Sequence, residues 1–195
     1  EASNTTATIG RSSSSTGIAR VNGGTWTSSG QFSVGVNGDG TLEIPDGQAN
    51  ASSVIVAVTG SSTGAVNLNG GVLRTGQIST ITGTGGDGTV NFDGGTLQLT
   101  GNQANLFAGF GAGDVTLNTG GGTIDTNGFD VATNIILNGT GALNKIGDGT
   151  LELNNAGNSY TGGTTIDGGT LRIGATGATG TGTITILGST ISYAD

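Results

Sequence analysis

Residues 143–174 read LNKIGDGTLELNNAGNSYTGGTTIDGGTLRIG. The stretch makes one short statement twice: a glycine turn, a threonine, then apolar and polar residues in strict alternation. The first copy is Gly149-Thr150-Leu151-Glu152-Leu153 and the second Gly169-Thr170-Leu171-Arg172-Ile173. With a period of two, Leu151 and Leu153 face one way while Thr150 and Glu152 face the other. Leu171 and Ile173 take the inward places of the second copy, and Arg172 points out. Strands this short are unstable alone, so the pattern demands that copies stack on one another.

The rest of the chain supplies the stack. A unit of the form apolar-x-apolar-Asn/Asp-Gly-Gly-x-apolar runs from Ala19 to Trp26, from Val66 to Leu73 and from Val90 to Leu97. It returns loosely from Val115 to Ile124, and again from Thr164 to Leu171 with threonine in the first apolar place. Asn-Gly between apolar runs ordinarily announces a two-residue antiparallel hairpin. The offsets between Val66, Val90 and Val115 are instead about 24 residues, the period of a solenoid coil holding two or three short strands. The fold expected is all-β, a parallel β-helix (solenoid), with a hairpin-rich β-sandwich as the alternative. A second formula, Gly-Asp-Gly-Thr, opens strands at Gly38, Gly86 and Gly147 and predicts Leu42, Ile44, Val90, Phe92, Leu151 and Leu153 inward. Leu73, Leu97, Ile124, Leu151 and Leu171 share the place after the Gly-x step and are expected to stack along the axis.

Residues 1–195 read as a single β-helix segment, with looser glycine-rich repeats over 1–119 and the denser repeat over 120–195. About eight coils at a strand spacing of ~4.8 Å give a rod ~40 Å long. The run Val54-Ile55-Val56-Ala57-Val58 fits either a strand buried on both faces or an edge covered by a loop. Residues 102–113, with Leu106, Phe107 and Phe110 among glycines, read as a loop folded back over the core. Phe129 reads as a core side chain in a turn.

Composition narrows the function. With 42 glycines, no helix-period stretch survives, and no run of about eighteen apolar residues could span a membrane as a helix. The chain begins with no charged-then-apolar leader, so any secretion signal is expected outside it or already removed. Five basic residues against thirteen acidic ones give a net charge of −8. That balance disfavours nucleic acid and anionic membrane as partners. Without His or Cys there is no Ser-His-Asp triad, thiol nucleophile or zinc finger.

Polysaccharide-cleaving chemistry would need paired or calcium-bound carboxylates with a basic residue nearby. Most of the acids, among them Asp39, Asp87, Asp93, Asp130, Asp148 and Glu152, sit in glycine turns or on the outward side of strands. The basic residues Arg11, Arg20, Arg74, Lys145 and Arg172 join no acid cluster. No tandem Gly-Gly-x-Gly-x-Asp calcium repeat occurs, and no Gly-Lys-Ser/Thr follows the tract Gly83-Thr84-Gly85-Gly86. Thr-x-Thr at Thr25, Thr80 and Thr183 is too irregular for an ice-binding face. The expectation is a non-enzyme with no catalytic, cofactor or metal residue.

Residues 143–174 also resemble the autotransporter-associated β-strand repeat. Its pattern is met by Leu143, Lys145, Gly147 and Gly149-Thr150-Leu151, then Asn158, Tyr160 and Gly162-Gly163-Thr164, then Gly169-Thr170-Leu171. The likeness extends upstream to residues 122–128 and downstream to 180–187. The resemblance implies a right-handed parallel β-helix in an extracellular or bacterial cell-surface protein, and no catalytic residue. A structural or adhesive segment is the function expected, with a polysaccharide-binding or polysaccharide-degrading β-helix as the alternative. The partners expected are neighbouring coils stacked end to end into filaments, and an extracellular glycan or another cell surface. Trp26, Tyr160 and Tyr193 are the aromatic candidates for an adhesive surface. Both ends are in strand-like alternation without a capping helix, which leads to the expectation of a longer β-helix or end-to-end stacking.

Overall fold

The computed structural model describes residues 1–81 and 87–194. Among these the chain is all-β, and parallel sheets wind it into a solenoid of about eight turns. The glycine tract Gly83–Gly86, the Gly86 start of one Gly-Asp-Gly-Thr copy, Thr82 and Asp195 lie outside the described residues.

Each coil has three sides. The first side stacks Asp39–Asn50 (its first half), Thr63–Leu68, Asp87–Phe92, Val115–Leu117 and Leu137–Gly139. The second stacks Val72–Thr75, Thr96–Leu99, Gly122–Asp125, Leu143–Ile146, Thr164–Asp167 and Ile184–Ile186. The strands Thr16–Ser28 and Asp39–Asn50 run unbroken around the corner between these sides, joining them into one 13-stranded sheet. The third side has a five-stranded sheet in the first half of the molecule and a four-stranded sheet in the second.

Alternation places the core. Leu42, Val66, Val90 and Val115 lie in register on the first side, each buried. Val54 and Val56 are buried while Ile55 between them is not, so this run is an ordinary alternating strand within a sheet. The five residues expected in one stack are all buried, but they occupy two sides. Leu73, Leu97 and Ile124 follow one another on the second side, and there Lys145 comes next. Leu151 and Leu171 stack on the third side, above Val131. The shared Gly-x step misled because different corners of the coil use the same turn chemistry. Gly-Asp-Gly-Thr likewise opens a first-side strand at Gly38 and a third-side strand at Gly147.

Residues 102–113, expected as a loop laid over the core, instead carry the third side of their own coil. Phe107–Ala108 pairs in parallel with Ile78–Thr80, and Phe107 meets Phe92 and Phe110 edge-on at 6.5 and 6.3 Å. Phe129 packs against the core but stays only partly buried in its turn.

Corners are made by glycine. Gly94 bends from the first side to the second with φ +97°, a backbone that L side chains rarely adopt. The coil also changes length. Register steps of 24 residues (Leu73 to Leu97) widen to 27 (Leu97 to Ile124), then contract to 21 (Ile124 to Lys145) and 20 (Ile166 to Ile186). Ile186, Leu187 and Tyr193 are exposed.

Candidate functional site

Within residues 143–174 three large polar side chains, Lys145, Asn158 and Tyr160, point inward. Lys145 takes the place that Leu97 and Ile124 hold in the coils before it, and its side chain is fully buried. Its ammonium has three donors, and three acceptors receive them. Nζ donates to Thr126 Oγ1 at 2.9 Å, to the Ile146 carbonyl at 3.1 Å and to the Gly147 carbonyl at 2.5 Å. Burial pulls its pKa down to about 8, against the opposing pull of the Asp125 and Asp148 carboxylates. The lysine thus fastens the corner at Gly147 to the coil beneath it.

Asn158 and Tyr160 do the corresponding work on the first side, where no regular strand continues above Leu137–Gly139. Asn158 Oδ1 accepts from the Leu137 N–H at 2.8 Å, and Asn158 Nδ2 donates to the Ala178 carbonyl at 2.6 Å. One buried side chain therefore bridges the coil below to the coil above, 21 residues back and 20 ahead. The Tyr160 ring is fully buried, and its hydroxyl lies 2.7 Å from Thr164 Oγ1, which donates to the Thr179 carbonyl at 3.1 Å. Burial pushes the Tyr160 pKa up to about 12, with the Thr164 hydrogen bond acting the other way.

Of the aromatic candidates for an adhesive surface, Tyr160 is therefore core. Trp26 is half-buried, donating its indole N–H to Asn4 Oδ1 at 3.0 Å and lying 4.5 Å from the Phe32 ring. Tyr193 is exposed. The second side carries an outward column in which Thr96 and Thr123 are neighbours, but Gln48, Val72 and Asn144 interrupt it. Its companion column runs from Thr27 to Asn50, Arg74 and Gln98. Among the described residues these columns form no regular Thr-x-Thr array.

A groove of about 670 Å³ lies on the third side, crossing four successive coils. It opens where the wide coil meets the narrow ones. Gln103 and Val131 make a single parallel bridge between the two third-side sheets. One extra residue then intrudes: the next ladder bond to the Ala132 carbonyl comes from Leu106, at 2.9 Å, and the Asn105 N–H turns to Gln103 Oε1 instead. This is a β-bulge, and the small side chain of Ala132 faces out beside it. Above Ala132 in register stand Glu152 and then Arg172, whose side chains meet at 3.3 Å. Asp130 flanks them, with Oδ1 accepting from the Thr150 N–H at 3.0 Å. Asn154 donates to Asn134 Oδ1 at 2.9 Å.

No site residue was expected from sequence, and the groove had no local signature there. Its walls come from segments up to 70 residues apart (Asn102 to Arg172). The one available signal was the surplus length of the coil holding residues 102–113. Among the described residues no group of three or more His, Cys, Asp or Glu side chains could hold a metal ion.

No curated protein and no solved structure matches the chain. One family model does, that of the passenger-associated-transport-repeat, over residues 143–173. Those residues hold Lys145, Asn158, Tyr160 and Thr164, the inward polar side chains that tie coil to coil. The chain therefore carries a passenger-associated-transport-repeat, built into the later coils of a parallel β-solenoid.

Proposed function

We propose that this chain is a structural, adhesive scaffold displayed outside a bacterial cell, a non-catalytic stretch of β-helix whose job is length and surface. The observation that carries this reading is the passenger-associated-transport-repeat within a continuous parallel solenoid. A solenoid adds length coil by coil through backbone ladders, with each coil needing only its neighbours. Proteins labelled with antibody against this chain on intact producing cells, before and after external protease, test the placement. Protease-sensitive surface labelling is the expected result, and labelling only after lysis would contradict it.

The coils are proposed to continue by stacking end to end. Ile186, Leu187 and Tyr193 are exposed, and such an apolar surface favours another parallel coil as the occupant. Such growth is heterologous and does not close on itself. Light scattering of the isolated chain across a concentration series should report elongating species that Ile186→Lys suppresses. A monomer at every concentration would refute end-to-end growth of this chain.

A further inference from the structure

We infer that the third-side groove is a binding site for a neutral, hydroxyl-rich oligosaccharide lying along the solenoid axis. The inference rests on the reading of an externally displayed scaffold only for its biological setting; the chemistry stands on the groove itself. Several polar atoms in the groove have no hydrogen-bond partner in the protein among the described residues. Gln103 Nε2 and Asn102 Nδ2 are unused donors, Glu152 Oε1 and Asn154 Oδ1 unused acceptors, and the Thr150 hydroxyl can serve as either. The unused donors lie on one coil, at Asn102 and Gln103, and the unused acceptors two coils on, at Glu152 and Asn154, with the Thr150 hydroxyl beside them. A sugar hydroxyl is both donor and acceptor, so a chain of vicinal hydroxyls satisfies such a set.

Other ligand classes fit worse. Asp130 and Glu152 bring two carboxylates against the one guanidinium of Arg172, which already faces Glu152 at 3.3 Å. An acidic polymer would meet net repulsion. No aromatic ring and few apolar side chains line the groove, which disfavours an apolar peptide. A peptide added as a strand would need an open backbone edge. Val131–Thr133, Leu151 to Leu153 and Leu171 to Ile173 are instead paired coil to coil across the groove. Crossing four coils at ~4.8 Å each, the groove accommodates several sugar units in a row.

The test uses the purified full chain against a panel of soluble neutral oligosaccharides (glucan, mannan, galactan and N-acetylglucosamine oligomers) and polygalacturonate, read by calorimetry. Three variants accompany it: Glu152→Gln with Arg172→Ala as a pair in the groove, Gln103→Ala, and Arg74→Ala on the second side as a control. The expected result is saturable binding of at least one neutral oligosaccharide. The paired groove variant should weaken it about tenfold or more, as loss of charge-assisted hydrogen bonds does, with thermal unfolding unchanged. Arg74→Ala should leave it intact. No binding of any neutral oligosaccharide at millimolar concentration overturns the inference, as does a preference for polygalacturonate. Binding insensitive to the groove variants overturns the location. None of these failures touches the scaffold reading, which the surface-labelling experiment decides separately.

Discussion

At the scale of single residues, the decisive side chains are the polar ones turned inward. Composition alone places Lys145 on the surface, as one of five basic residues in an acidic chain. Alternation from Leu143 already puts Lys145 on the inward side, yet a charge in a core is costly unless every donor is met. Three acceptors contributed by neighbouring backbone and Thr126 meet that condition, and they come from a coil 19 residues earlier as well as its own. The pairing could not be read before the coil register was known. Lys145 titrates near 8 in the folded chain against 10.5 for an ordinary lysine, so below pH 8 folding carries the cost of a buried charge. Between 8 and 10.5 the unfolded chain binds the extra proton, and stability rises with pH, by up to about 3 kcal/mol. Tyr160 has the opposite sign of slope. With its pKa raised to about 12 from 10.0, the unfolded chain loses its proton first, and stability falls from pH 10 upward. Urea unfolding at a series of pH values should therefore show a maximum near pH 10. Lys145→Met should abolish the rise between 8 and 10 while keeping the fall above it. A rise that persists in Lys145→Met would assign it to another group.

At the scale of elements, each strand contributes one inward file and one outward file. The two files respond differently to substitution. Leu151→Asp places an unpaired carboxylate between Val131 and Leu171 and should cost about 4 kcal/mol or more, enough to abolish cooperative unfolding in circular dichroism melts. Glu152→Lys, one residue away and outward, breaks only a partly exposed pair with Arg172 and should cost about 1 kcal/mol or less. Asn158→Ala orphans the Leu137 N–H and the Ala178 carbonyl together. A loss of about 3 kcal/mol is expected by urea titration, against under about 1 kcal/mol for an exposed asparagine such as Asn22. Gly149→Ala would put a methyl group 1.9 Å from the Phe129 carbonyl oxygen, so the corner must open, at a cost of about 3 kcal/mol. These strands were legible in the sequence because alternation and glycine corners are local signals. What the strands face was not. The turn formula that opens Leu151 and the one that opens Leu42 are identical, so the side of the coil each strand occupies depends on how many corners precede it. Residues 102–113 lacked alternation, which hid their role as a third side closed by Phe107.

At the scale of the whole molecule, the 24-residue spacing of Val66, Val90 and Val115 carried the architecture. The spacing that failed was the transition, where a coil of 27 residues is followed by one of 21. That mismatch creates the groove, and no short motif records it, because the groove exists only after distant coils are stacked. The inward polar residues of 143–173 sit just beyond the same transition, where the coil narrows and the first side loses its regular strand. Stacking, corners and groove all depend on parallel coils rather than hairpins, and the absence of cysteine allows a clean trial. Asn67 lies opposite Asn91 in the next coil, their amides hydrogen-bonded at 3.0 Å. A hairpin across Asn69-Gly70 would instead set Asn67 opposite Val72. The measurement is oxidation of two double variants, Asn67→Cys with Asn91→Cys and Asn67→Cys with Val72→Cys, read by mass under native conditions. Adjacent parallel strands fall within disulfide reach, so the first variant should close its disulfide and the second stay reduced. Ready closure of the second, with the first remaining open, would contradict the parallel solenoid.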